Sequence, residues 1–277
     1  MPKFSDVFGV RPDGWLNIEL DSDQEYYLDP LKFPKVTDPD FDGQEAELLV
    51  QKYMGGVDAM LDRPDMKVRR LALLDAPCEM NETRLGLGQG KPKGTGPSPE
   101  MLEKVFRHMR DIKGFKVAQH SEGLLMFTEH FGTDRHSDLI TCIVARELVA
   151  FTQRKCRRYH IEMVKDCPIK MFNPATLEWE ELLVELPVYN GLPILLVPVD
   201  ALVEQYDYTA EHYVHLEVLE GRKFFLQQQG LSMTKAEIYK MDTADIKHNK
   251  CKTLALRSAV EEPKRFVAYL DKRRLLG

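Results

Sequence analysis

The sequence predicts a mixed α+β fold with a helical C-terminal region, and three observations carry that expectation. Between Phe131 and Tyr159 the run FGTDRHSDLITCIVARELVAFTQRKCRRY places Leu139, Ile140, Ile143, Val144, Leu148, Val149 and Phe151 at helical spacing with no clean polar face. A helix apolar on nearly every side is buried on nearly every side. Short apolar runs of strand character flank it, and beyond Asp200 the pattern turns to amphipathic helices. The expected architecture is a central sheet packed around the buried helix. It forms an α/β core domain over residues 1–200, followed by a helical C-terminal region over 201–277. A restriction-endonuclease-like core is a possible form, an inference from the chemistry of the candidate site and not from the elements, since that fold's usual Asp followed by Glu-x-Lys on adjacent strands is not visible.

The elements follow in order. WLNIELDSDQEYYLDP reads as two short strands joined by the polar turn Asp21-Ser22-Asp23-Gln24, with Asp29 where the second strand leaves its sheet. Gly43 to Leu61 carries Ala46, Leu49, Val50, Tyr53, Val57 and Met60 at helical spacing, and Lys67 to Leu74 suits a strand or a helix. Ser98-Pro99-Glu100 supplies an N-cap, a proline at N1 and a first-turn acid for a helix reaching about Lys113. Leu124 to Phe127 reads as a strand directed at Phe131-Gly132, and Ser137 as the N-cap of the long helix. Ile169 to Phe172, the turn Asn173 to Thr176, and Trp179 to Leu186 form a hairpin pattern; Pro193 to Pro198 reads as a further strand. Helices are expected at Ala201 to Tyr206, Tyr213 to Gln229, Thr234 to Met241 and Lys250 to Leu276, the last broken at Pro263.

Composition narrows the class. The chain has 277 residues, 43% hydrophobic and 30% charged, which suits an ordinary globular protein. It has no apolar run long enough to span a membrane and no basic-then-apolar leader, so a cytoplasmic location with no membrane partner is expected. Five cysteines, never spaced as CxxC, argue against a disulfide framework or a zinc ribbon.

Charge is unevenly spread. Residues 1–50 hold 12 acids and 4 bases, a net of −8, which leaves 32 acids and 34 bases for the rest. Basic clusters stand at Lys67, Arg69 and Arg70, at Arg154, Lys155, Arg157 and Arg158, and at Lys272, Arg273 and Arg274. Such patches can attract a phosphate backbone despite an acidic total, or can simply complement helix C-termini in solvent.

The most unusual composition lies in DAPCEMNETRLGLGQGKPKGTGPSP, residues 75–99, where glycines alternate with Lys91 and Lys93. A lysine-bearing loop opening into a helix can hold an anion or gate a site. It is not a Walker A motif: three residues separate Gly86 from Gly90-Lys91, and Pro92 stands where Ser or Thr would bind magnesium.

Ionisable residues at the entrance of the buried helix suggest chemistry. Asp134, Arg135 and Asp138 crowd a point where desolvation is costly, and such groups are usually paired, metal-bound or catalytic. Phosphodiester hydrolysis with Mg²⁺ or Mn²⁺ needs converging carboxylates and a nearby cation. The expected metal ligands are Asp134, Asp138, Glu82 and Asp29; Asp134, Asp138 and Glu82 are also the catalytic carboxylates, with Arg135, Lys91 and Lys93 supplying positive charge. Alternatively, Asp134, Arg135 and Asp138 form only a structural ion network, or His130 and His136 join the two aspartates around zinc. No motif supports a Ser-His-Asp or Cys-His arrangement.

The order YYLDP at 26–30, NETRLGLGQGKPKGTG at 81–96, FGTDRHSDLITCIV at 131–144, FTQ at 151–153, and LP followed by PILLVP at 186–198 resembles a group of uncharacterised bacterial proteins found near phage-defence genes. The resemblance covers roughly residues 15–230 and matches Asp29, Glu82, Asp134, Arg135 and Asp138. His130 and His136 depart from the glycine and the small apolar residue expected there. The resulting expectation is a metal-dependent nuclease, the effector of a bacterial antiphage defence system. Its expected partners are nucleic acid, DNA above RNA, and a second protein of the same system, with self-association open. Two rivals stand beside it: a non-catalytic subunit of a larger defence assembly, and a nucleotide-binding hydrolase or sensor using loop 86–96.

Overall fold

The computed structural model describes residues 1–76, 80–86 and 98–276. Within them helices form at Phe4–Phe8 (α1), Gly43–Met60 (α2), Lys67–Leu74 (α3), Pro99–Asp111 (α4), Glu122–Phe127 (α5), Thr133–Arg158 (α6), Ala210–Tyr213 (α7), Leu219–Gln228 (α8), Lys235–Asp242 (α9), Lys250–Glu261 (α10) and Pro263–Leu276 (α11). Strands lie at Tyr27–Leu28 (β1), Val164–Asn173 (β2), Glu178–Leu186 (β3), Val188–Tyr189 (β4), Leu192–Pro193 (β5) and Leu202–Val203 (β6). The mixed composition and the helices beyond residue 210 match expectation, but the expected helix over Ala201–Tyr206 is replaced by strand β6, and the central sheet is absent among the described residues. Among the described residues the strands form three separate antiparallel pairs, β1 with β6, β2 with β3 and β4 with β5, and the fold is 56% helical.

Helix α6 is the axis. Of its 26 residues 16 are buried, and it is flanked by α2, α5, β1 and the β2–β3 hairpin. It begins one turn before Ser137, capped by Gly132. Ser137 is instead a buried residue inside the helix, and its Oγ accepts the Leu28 amide at 2.9 Å. Because the helix starts at Thr133, Asp134 and Asp138 stand one turn apart on a single helical face.

Local signals explain the neighbours. Asp42 caps α2 by accepting the Glu45 amide, and Leu49, Tyr53, Val57 and Met60 turn inward. Ser98 caps α4 at the Met101 amide, followed by Pro99 at N1. In the β2–β3 turn, Asn173 Oδ1 accepts the Ala175 and Thr176 amides. The hairpin then lays Cys167, Ile169 and Met171 on Cys142, Ala145 and Val149 of α6.

Two expected strands have other structures. Leu124–Phe127 lies in α5, since a four-residue apolar run fits a buried helix as well as a strand. Ile194–Val197 is extended and wholly buried, yet joins no sheet. Its polar groups are satisfied one by one: Leu195 N donates to Glu82 O, Leu196 N to Thr152 Oγ1, and Val197 O accepts from Leu16 N. The N-terminal pair is also absent, since Tyr27–Leu28 pairs with Leu202–Val203 rather than with residues 15–20.

The charge asymmetry has an internal explanation. Lys155, only 1% exposed, lies 2.7 Å from Asp38, 3.2 Å from Asp40 and 3.7 Å from Asp13, and Arg158 reaches Asp40 at 2.7 Å. The acidic N-terminal segment is thus held by the basic end of α6. The other clusters are largely paired as well: Arg70 with Glu103, Arg69 with Glu178, Arg273 with Asp207 and Arg274 with Glu122.

The C-terminal helices share the main core. Phe266 of α11 packs against Phe115, Phe127 and Tyr213. Lys252 of α10 donates to the carbonyls of Leu125, Thr128 and Phe131, binding the end of α5 to the segment that enters α6.

Candidate functional site

The entrance of α6 brings together parts of the chain that are distant in sequence. Asp134 and Asp138 are half-buried, and the segment 80–86 reaches Asp134 at Gly86. Gly86 takes a φ of +115°, which disfavours any residue with a side chain, and a Cβ there would stand 2.8 Å from Asp134 Oδ1. The aspartate and the first glycine of the Gly/Lys stretch are therefore in close contact. Lys91 and Lys93 lie outside the described residues. Arg135 is half-buried beside Asp134 on the same helical turn.

Glu82 sits in the short turn Asn81–Thr83, half-buried, with its carbonyl held by Leu195 N. Burial pushes its carboxyl above the usual range, partly offset by its own backbone amide and by Arg84.

Asp29 occupies a different environment. It is 4% exposed, caps the turn Pro30–Lys35, and its Oδ1 accepts from Leu31 N at 3.0 Å and from Tyr208 Oη at 2.8 Å. Burial raises its carboxyl to about 6, more than these two donors restore. Tyr206 lies between the two regions, because both Asp29 and Asp138 act on its phenol, which burial pushes well above its ordinary range. Its hydroxyl donates to Leu28 O at 2.8 Å. The sequence expectation that Asp29 joins the other carboxylates at one ion is not met by this geometry. Among the described residues no group of three or more His, Cys, Asp or Glu side chains is placed to hold a metal ion.

The histidine alternative separates too. His130 is exposed, whereas His136 is fully buried among Phe131, Tyr206 and Tyr208. Burial lowers the pKa of His136 to about 4 despite nearby Glu122 and the backbone of Ser121. Glu122 is itself fully buried. Burial pushes its carboxyl up, but His120 and Arg274 together hold it below the usual range.

Sequence reasoning missed Tyr206, Tyr208, Glu122 and His120. Only the alternation of Tyr206 and Tyr208 after β6 hinted at a packed aromatic pair.

Residues 10–209 match the model of a family described as Domain of unknown function (DUF8370). The chain belongs to the DUF8370 family. No curated protein and no solved structure matches it. The DUF8370 match contains Asp29, Glu82, Asp134, Arg135 and Asp138 and stops just before α7. In this DUF8370 chain the match therefore takes in the whole entrance of α6, together with Tyr206 and Tyr208. Among the described residues no helix is long and apolar enough to cross a membrane.

Proposed function

We propose that the chain hydrolyses nucleic-acid phosphodiesters with a divalent cation held at the entrance of α6. The observation that carries this reading is the contact between Asp134 and Gly86. It joins the acidic helix entrance to Gly86, the residue at which the Gly/Lys stretch of the sequence begins. Mg²⁺ is usually held by one or two carboxylates, with the remaining positions filled by water and substrate phosphates. Asp134 and Asp138 would supply that number without a third protein ligand, with Arg135 next to them in sequence. Asp134 and Asp138 would hold the cation, which would supply Lewis-acid polarisation of the phosphate and a more acidic bound water. The carboxylates stand on a helix rather than on adjacent strands, so the proposal takes its chemistry, not its fold, from restriction-endonuclease-like enzymes. The resemblance to proteins near phage-defence genes supports a role as a defence effector.

The test is cleavage of plasmid and single-stranded DNA, and of RNA, with Mg²⁺ or Mn²⁺ and with EDTA. Cation-dependent cleavage that falls at least about a hundredfold in Asp138→Ala, the scale on which even outer-shell changes at metal sites act, supports the proposal. Equal background from wild type and variant refutes it.

A second reading, a non-catalytic assembly subunit, is favoured by the internal pairing of Asp29 with Tyr208 and of Glu122 with Arg274. It predicts that Asp134→Asn lowers the melting temperature while no cleavage is seen in either protein.

A further inference from the structure

Between α4, α10 and the turn that follows α5 lies a pocket of about 420 Å³ that none of the chemistry above uses. Its volume is within the range of small-molecule sites. One wall is apolar, built from Met101 and Val105 of α4, Phe127 at the end of α5, and Leu256 of α10. The polar lining holds two lysines, Lys104 on α4 and Lys252 on α10, against the single acid Glu129, with His108 one turn from Lys104 and 3.8 Å from Asp111. Lys104 forms no ion pair among the described residues. Lys252 spends its three donors on main-chain carbonyls, at 2.8, 2.8 and 2.7 Å, so its hydrogen bonds are complete while no carboxylate cancels its charge within ion-pair distance. Thr128 also lines the pocket, and its hydroxyl, fully buried, has no hydrogen-bond partner.

We infer that this pocket binds a small organic anion: an apolar body against Val105 and Leu256, and a phosphate or carboxylate head at Lys104 and His108. Charge complementarity selects an anion over a cation, and the apolar wall selects one with a body over a bare ion. The position gives the site a regulatory role. Thr128 and Glu129 precede the entrance of α6 by only a few residues, and Lys252 ties that segment to α10 through three bonds. A ligand seated between α4 and α10 therefore stabilises the segment ahead of Asp134 that Lys252 holds to α10. This coupling rests on the proposed phosphodiesterase reading; binding itself does not.

Calorimetric titration of the full chain at low salt tests binding, with AMP as the phosphate-headed probe and octanoate as the carboxylate-headed one. Adenosine and inorganic phosphate separate body from head. At least one of the two amphipathic anions is expected to bind at least tenfold more tightly than adenosine or phosphate alone. That binding should weaken at least tenfold in Lys104→Ala/His108→Ala, and also in Leu256→Trp, which fills the pocket. Both alanine sites are solvent-facing helix positions, so an unchanged melting temperature in the absence of ligand confirms folding. Absence of binding by both AMP and octanoate at millimolar concentration overturns the inference, as does equal affinity in wild type and both variants. If binding is confirmed and cleavage of DNA or RNA is not, the pocket stands and the phosphodiesterase reading alone falls.

Discussion

Asp29 and His136 are buried on either side of Tyr206 and Tyr208, and burial moves them in opposite directions, to about 6 and about 4. The folded state therefore favours protonated Asp29 and neutral His136. For Asp29, whose unfolded value is about 3.9, stability is greatest in acid and is lost as pH rises toward 6; for His136, about 6.5 unfolded, stability is full above that value and lost as pH falls toward 4. Each effect is of the order of 3 kcal/mol, and between pH 4 and 6 the two oppose one another. Asp29→Asn should remove one arm, gaining stability above pH 6 and leaving a steeper acid loss. His136→Leu should remove the other and become more stable, relative to wild type, as pH falls from 6.5 to 4. Urea denaturation at a series of pH values reads both slopes, and parallel pH curves for the three proteins would contradict this assignment. A third residue acts through the main chain. Ser137→Ala strips the partner from the buried Leu28 amide and should cost about 1–3 kcal/mol.

At the scale of elements, the sequence was most legible where periodicity was long or a cap was explicit. The apolar run of α6, the Ser98-Pro99 start of α4, the Asn173-Pro174 turn and the break at Pro263 all specify their structure through local backbone chemistry. Short buried runs were ambiguous for the same reason. Leu124–Phe127 and Ile194–Val197 are apolar throughout, so no alternation distinguishes helix, strand or a threaded extended segment, and only tertiary partners such as Glu82 O and Thr152 Oγ1 decide. Ser137 misled because a serine that caps a helix and one that caps a strand's amide look alike in sequence. Of the candidate site, the pairing of Asp134 with Asp138 could be read from their spacing once the helix start is placed at Thr133. The contact with Gly86 could not, because it joins positions 48 residues apart.

For the molecule as a whole, the C-terminal helices and the N-terminal acidic segment are built into one core with α6. The chain should therefore unfold in a single transition. Lys155 is the point where the N-terminal segment is fixed, and three aspartates surround it. Lys155→Met leaves Asp38 and Asp40 buried with only Arg158 for compensation, and should cost about 3–5 kcal/mol at neutral pH. A loss near zero in urea denaturation would mean that Lys155 acts by packing against Trp15 and Phe151, which methionine preserves, rather than by charge. The proposed activity requires the entrance of α6 to hold a divalent cation. The most direct measurement is electron paramagnetic resonance of Mn²⁺ titrated into the full chain with a phosphorothioate oligonucleotide, comparing wild type with Asp134→Asn/Asp138→Asn. The account predicts bound Mn²⁺ at wild type and none above background in the double variant, with both proteins folded; equal binding in the two, or none in either, contradicts it.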